Sequence, residues 1–397
     1  MKWHSSLSEN PDAAKALDEC IGKMRESESA PPDLAFLFPS AHHARSFDAL
    51  PPQLIKAAGV KQLIGCSGGG IIGGGREVEH KPALSLVAAW LPDVNVFPFH
   101  LQQQDLPSPD APPGAWRDKV GAKEPTADFL ILSDPFSLDA EALINGLDYA
   151  YPKSVKIGGL ASGAGGPGGN VLYLNGRILR EGTVGLALTG NVKIDPIVAQ
   201  GCRPIGPTFK VTHCERNLLL ELDGVNTLKA LEVLMEKLSP KDQQLARTSL
   251  FLGILNDPLK SNATKRDYLI RNLIGLDPQR GILAIGALLR PGQTVQFHLR
   301  DRETAAHDLT EHLDLYLKDM GSVRPQGALL FSCLGRGEHL YQKPNHDCSL
   351  FNSKMGPTAI GGFFCNGEIG PVDGTTYLHG FTSSFGIFRP AEPAINT

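Results

Sequence analysis

Ile64-Gly65-Cys66-Ser67-Gly68-Gly69-Gly70 ends an apolar, strand-like run in a loop of small residues. The same pattern returns at Ile157-Gly158-Gly159-Leu160-Ala161-Ser162-Gly163 and at Ile360-Gly361-Gly362-Phe363-Phe364-Cys365-Asn366-Gly367. Glycine permits φ > 0 and lets backbone N–H groups approach another molecule closely, so loops of this kind at strand ends can floor a ligand site. One such loop is explained by a tight turn or by strands packing closely. Three copies predict an internally duplicated architecture with a shared site.

Outward from these loops, short apolar runs flanked by Gly and Pro read as strands: 34–38, 62–65, 84–90, 94–99, 129–132 and 155–159. Asn10-Pro11 predicts a helix start, with Leu17, Cys20, Ile21 and Met24 on one face. The Pro-rich stretch 100–126 reads as a surface loop, with a lid as its functional reading. Ser137 is expected to cap a helix through Leu147. Asn175-Gly176 predicts a hairpin between 171–174 and 177–179, and Gly190-Asn191 another between 184–189 and 192–198. This order reads as an antiparallel meander rather than as βαβ units. A second half is expected from near Leu222, with helix faces at 228–238 and 309–320, a strand at 328–333 and a last hairpin through 377–388. The fold class is therefore α+β: mixed or antiparallel sheets packed with helices, with internally repeated strand and glycine-loop units in two domains, 1–222 and 223–397.

Two spellings in the first loop mislead. Gly65-Cys66-Ser67-Gly68-Gly69 fits the nucleophile elbow and Gly68-Gly69-Gly70-Ile71-Ile72-Gly73 fits the dinucleotide fingerprint. Both devices need a helix directly after the loop, and Gly73-Gly74-Gly75 stands there instead. Cys66 and Cys333 are the candidate thiol nucleophiles, Cys333 the better because Arg336 follows in a Gly-flanked loop and would stabilise a thiolate. His339, His346 and Cys348 match no zinc spacing, so neither metal nor cofactor is expected. Arg203 and Glu368 could pair with each other or with a zwitterionic ligand.

Over 397 residues, 42% apolar and 20% charged, the formal net charge is −4, with no basic patch interleaved with aromatics. Nucleic acid is thereby disfavoured as a partner. No run approaches the roughly 20 apolar residues of a membrane span, and the first ten residues lack the plan of a signal peptide. Seven dispersed cysteines without a CxxC pair fit reduced thiols, so a cytoplasmic protein is expected.

The chain resembles the FIST family, with an N-terminal and a C-terminal FIST domain. The resemblance rests on Ile64–Ser67, Ile157–Ala161, Gly201-Cys202-Arg203-Pro204-Ile205-Gly206 with Val211-Thr212, Glu221-Leu222-Asp223-Gly224, Phe331-Ser332-Cys333 with Gly335-Arg336-Gly337, and Gly361–Phe364 through Gly367-Glu368-Ile369-Gly370. It implies a stand-alone sensory module that binds a small molecule such as an amino acid, with no established catalytic activity. Since it runs from about Leu34 through nearly all the rest, no room is expected for a fused F-box, kinase or cyclase, and output would pass through a protein partner, an oligomer or a change in the protein itself. On these positions a ligand is expected at Gly65, Cys66, Ser67, Gly158, Gly159, Arg203, Cys333, Arg336, Gly362, Asn366 and Glu368: backbone N–H groups for a carboxylate, the arginines for bidentate charge, Glu368 for an ammonium. A cysteine-dependent enzyme and a protein-interaction adaptor are the alternatives.

Overall fold

The computed structural model describes all residues except Ser261, Ser322 and 392–397. Two compact units emerge: residues 1–198 with 310–397, and residues 199–309.

Unit 1 repeats one plan three times. The first copy runs β1 (Lys2–Ser8), α1 (Ala13–Ser27), β2 (Leu34–Pro39), α2 (Leu50–Ala58), β3 (Gln62–Cys66), a hairpin of β4 (Gly70–Gly73) and β5 (Arg76–Glu79), and β6 (Leu84–Trp90). The second runs β7 (Val94–Leu101), α3 (Pro113–Val120), β8 (Asp128–Ser133), α4 (Ala140–Ala150), β9 (Lys156–Leu160), a hairpin of β10 (Leu172–Leu174) and β11 (Arg177–Leu179), and β12 (Thr183–Gly190). The third opens with β13 (Lys193–Ala199) and is interrupted by unit 2.

Unit 2 comprises β14 (Cys202–Glu215), β15 (Leu218–Leu222), β16 (Val225–Asn226), α5 (Thr227–Glu236), α6 (Pro240–Ser249), β17 (Leu250–Leu255), β18 (Tyr268–Asp277), β19 (Ile282–Ile285) and β20 (Thr294–Arg300). Its strands lie in the order β14-β20-β17-β18-β19-β15-β16, and β14 also pairs with β15. That extra pairing closes an antiparallel barrel, which removes the exposed edges that invite aggregation. Leu219, Leu252, Val295, Phe297 and Leu299 fill its interior.

After α7 (Arg302–Met320), the third copy resumes with β21 (Gly327–Cys333), α8 (Gly337–Tyr341), α9 (His346–Met355), β22 (Ala359–Cys365), a hairpin of β23 (Glu368–Val372) and β24 (Thr375–His379), and β25 (Ser383–Arg389).

The three sheets of unit 1 share one strand order: β1-β6-β2-β3-β10-β11, β7-β12-β8-β9-β23-β24 and β13-β25-β21-β22-β4-β5. At the centre of each is a parallel pair, β2–β3, β8–β9 or β21–β22, joined by a helical crossover. The outer hairpin always comes from another copy. The first copy's hairpin completes the third sheet, the second's completes the first, and the third's completes the second. One apolar core draws on all three sheets, including Phe36, Phe38, Ile64, Leu130, Leu132, Ile157, Phe331 and Phe363. The outer face of the first sheet is buried under α1 and α2, that of the second under α3 and α4.

The class read from the sequence holds, and several details change. The parallel pairs show that unit 1 is not an antiparallel meander, because each crossover is long enough to carry a helix. The strands 183–190 and 193–199 do not form a hairpin: β12 pairs with β7 and β8, whereas β13 joins β25. Likewise β24 pairs with β23 and β25 with β21. Strand β1 was not anticipated, since its KWHSSLS sequence mixes polar and apolar residues irregularly. The N-cap of α1 is Asp12, whose side chain accepts from Ala14 and Lys15 N–H, not Asn10. Within the Pro-rich stretch Pro113 starts α3, where its missing N–H costs nothing.

Candidate functional site

The repeat dictates the site through strand geometry. Gly65, Gly158 and Gly362 sit opposite Leu37, Ile131 and Leu330 of the parallel neighbour. A Cβ at these positions would lie 2.0, 1.8 and 1.9 Å from that neighbour's carbonyl oxygen. Only glycine fits. In the third copy the structural equivalent of Gly65 is therefore Gly362, one residue later than the sequence alignment of the loops placed it.

Beyond these glycines the three chains turn toward one another. Gly69 N–H donates to Ser162 Oγ at 2.9 Å, and Ser162 N–H to Ser67 O at 3.2 Å. The Ser162 hydroxyl donates to Phe364 O. Leu160 N–H reaches Gly367 O at 2.8 Å and Asn366 N–H reaches Leu160 O at 3.1 Å. The three glycine loops thus meet at the carboxyl ends of the parallel pairs, held together by their own hydrogen bonds.

The same end receives Ser40, Asp134 and Cys333, one from each copy. They occupy one structural slot: their N–H groups donate to Ala83 O, Gly182 O and Thr382 O at 2.8, 2.8 and 3.0 Å. Ser40 Oγ accepts from Ala83 N–H at 3.0 Å. Asp134, buried, accepts from Phe136 N–H, from Ser137 Oγ at 2.7 Å and from Asn170 Nδ2 at 3.1 Å. Asn170 Oδ1 in turn accepts from Ala164 N–H and from Ser67 Oγ. Cys333 is half-buried, and its Sγ accepts from Gly335 N–H at 3.4 Å. Around this floor Leu334 and Phe136 are exposed, Asn366 is exposed, and Leu334 lies against Gly69. Between Ser162 and Asn170 the second loop is longer than its counterparts, and a Cβ on Gly165, Gly166 or Gly168 would meet nothing within 4 Å.

The positions expected from the sequence divide accordingly. Gly65, Gly158 and Gly362 serve strand packing. Gly159 packs on Cys365, whose Sγ lies 2.4 Å from where a Cβ would stand. Cys66 belongs to the central core, and burial pushes its thiol far up, which removes it as a nucleophile. Ser67 is buried in the loop junction, its Oγ accepting from Val171 N–H at 3.1 Å. Glu368 is buried and accepts from Thr382 N–H at 3.0 Å. Cys333 and Asn366 remain at the rim.

Neither arginine is available as the bidentate clamp the sequence suggested. Arg203, in unit 2, is held by Asp242 at 2.5 Å and Asp301 at 3.1 Å. Arg336 is fully buried: Nε donates to Asp347 at 3.1 Å and Nη2 to the Tyr341 hydroxyl, with the guanidinium over the Tyr341 ring. Asp347 also accepts from Ser383 Oγ and bonds His346 Nδ1 at 2.9 Å, while His346 stacks on Tyr341. Against the cost of burial, the guanidinium and these donors hold the Asp347 carboxyl well below the usual range. Next to it Glu77 accepts from Cys348 N–H at 2.7 Å; burial, with the Asp347 charge nearby, pushes its carboxyl up to about 8.

Sequence reasoning missed Asp134, Ser162, Asn170, Tyr341, Asp347 and Glu77 as members of these networks. No sequence signal marks the slot, since Ser40, Asp134 and Cys333 precede Gly65, Gly158 and Gly362 by unequal stretches; they coincide only through the strand register, each three residues after Leu37, Ile131 or Leu330.

A thrice-repeated α+β unit with its small-residue loops gathered at one end is the framework of a ligand-binding module. The chain belongs to the FIST family: the FIST N domain matches residues 33–225 and the FIST C domain residues 230–371. FIST domains are generally thought to be small-ligand sensory domains in signalling. The two matched spans meet inside unit 2, as does the sequence boundary at 222. The uncharacterized protein Rv0628c of Mycobacterium tuberculosis (strain ATCC 25618 / H37Rv) is 33% identical over 98% of this chain and all of its own length. The uncharacterized protein Mb0898c of Mycobacterium bovis (strain ATCC BAA-935 / AF2122/97) is 34% identical over 95% of this chain and 96% of its own length. Among the described residues no helix is long and apolar enough to cross a membrane.

Proposed function

We propose that this protein is a cytoplasmic sensor that binds an amino acid or a related small carboxylate above the junction of the three glycine loops. One observation carries the reading: three loops distant in sequence are joined by direct hydrogen bonds at the carboxyl ends of three parallel strand pairs, where open sheets take ligands. The deep N–H groups of these loops bond to one another. The ligand is therefore met by the rim: Asn366, the Cys333 thiol and the Gly163–Gly169 loop, with Leu334 and Phe136 as apolar walls. Signal output passes to a protein partner. A thermal-shift screen of amino acids and small carboxylates should yield at least one saturable rise in Tm, about 2.7 kcal/mol of stabilisation at a hundredfold excess over Kd. Asn366→Ala should weaken that shift. A screen in which no compound moves the Tm, or a shift untouched by changes at Asn366, Cys333 and Gly166, would remove the site.

A further inference from the structure

Unit 2 carries a cavity of its own, of about 490 Å³, between α5 and strands β14 to β16. Its shape follows from local sequence. Asn226 caps α5, its side chain accepting from Leu228 and Lys229 N–H. Ala230, Leu234 and Leu238 then recur at a spacing of four and face the barrel, and Lys229, Val233 and Lys237, each one position earlier, form the adjoining, exposed stripe. Opposite them β14 bulges between Ile205 and Thr208. At the bulge Gly206 has φ +65°, and a Cβ there would lie 2.2 Å from Leu234 Cδ1. The glycine lets Leu234 settle as the floor beside Phe209 and Leu222.

The groove is apolar and yet open: Val225 and Val233 in its walls are 42% and 46% exposed. A patch of this kind on a small barrel is surface that water covers at a cost until something else does. Lys229 and Lys237 stand along the same stripe, both exposed, and neither ammonium meets a carboxylate among the described residues. The lining holds one acid, Asp223, whose Oδ1 accepts from Lys210 N–H at 2.9 Å. The volume lies within the roughly 300–1,000 Å³ of small-molecule pockets.

From this combination we infer that the groove is a binding site for a medium-chain carboxylate, its apolar chain along Phe209, Leu222 and Leu234 and its head group on Lys229 or Lys237. This site is separate from the glycine-loop site, and either can fail without the other.

The test is calorimetric titration of the full-length protein with decanoate below its micellar concentration, with decanol and decyltrimethylammonium as controls. Decanoate should bind saturably and the cationic control should not. Val233→Glu, a substitution at an exposed position, should abolish binding, and Lys229→Glu with Lys237→Glu should weaken decanoate roughly tenfold or more while sparing decanol. Circular dichroism confirms that each variant keeps its fold. Absence of decanoate binding overturns the proposal, as does binding that is equal for all three probes or insensitive to both lysines. Concentration-dependent dimerisation in sedimentation, abolished by Val233→Glu and unaffected by decanoate, would overturn it in favour of a second copy as the occupant.

Discussion

Gly65, Gly158 and Gly362 fill one slot in three repeats with one residue, whereas Ser40, Asp134 and Cys333 fill another with three different chemistries. The first slot is ruled by backbone: a neighbouring carbonyl stands where any Cβ would be. The second lies at the end of the strands, where the side chain is free to vary, and each repeat has used it differently. What the copies share holds the three sheets together, and what they do not share gives each strand end its own chemistry.

The severest way to break this contrast is at the first slot. Gly158→Ala or Gly362→Ala should destabilise by on the order of 4 kcal/mol or prevent folding, because the displaced atom is backbone. Gly165→Ala, facing open space, should stay within about 0.5 kcal/mol in urea unfolding. A tolerated Gly158→Ala would end the claim that packing fixes this slot.

Next comes the charge cluster that only the third repeat carries. Arg336→Met should cost about 3–5 kcal/mol, since it leaves the Asp347 carboxylate buried and without its guanidinium. Adding Asp347→Leu should recover part of the loss, and the double variant set against the wild type reads the net worth of the pair; a double variant worse than the single would mean that no buried, uncompensated carboxylate was left behind.

Smaller effects separate the members of the second slot. Asp134→Ala should cost about 1–3 kcal/mol by leaving Asn170, Ser137 and Phe136 donors unmet. Cys333→Ala should cost less than about 1 kcal/mol, being half-buried. Equal losses would mean that both side chains are structural and that the variation between repeats has no functional content.

The most specific effect is on pH dependence. The Glu77 carboxyl titrates near 8 in the folded protein against 4.5 in the open chain, so the folded state holds more protons between those values. Its contribution to stability is present below about 4.5 and is lost as pH rises toward 8. Glu77→Gln should flatten that fall in urea midpoints measured from pH 5 to 8.5. Asp347 works the other way, stabilising above the ordinary carboxylate range and failing in acid. A slope unchanged in Glu77→Gln would mean that Glu77 is ionised in the fold.

Much of this was legible in the sequence because it is local. Ile64-Gly65, Ile157-Gly158 and Asn175-Gly176 announce their strand ends and hairpin turn by backbone chemistry alone. What escaped is non-local. That 183–190 and 193–199 part company into different sheets depends on partner strands, β7 for the one and β25 for the other, which no window of sequence contains. The one-residue offset of Gly362 depends on Leu330 across the parallel pair. At the site, glycines advertised the floor, while Asp134 and Asn170 are ordinary loop residues until the fold places them 3.1 Å apart. The arginines misled because a guanidinium beside glycines reads the same whether it faces a ligand or, as with Arg336, a buried aspartate.

The cyclic exchange of hairpins also sets a schedule for the growing chain. The second sheet lacks residues 368–379 until the third copy has been made, and strand β4, made early, waits for β22, nearly 300 residues behind it. No repeat can therefore finish by itself on the ribosome: the first sheet has all its strands once residue 179 is made, while the second and third wait for the last copy. By the same topology, a single repeat would be a subunit with one hairpin to give and one vacancy to fill, and three of them would close a ring by rotation alone.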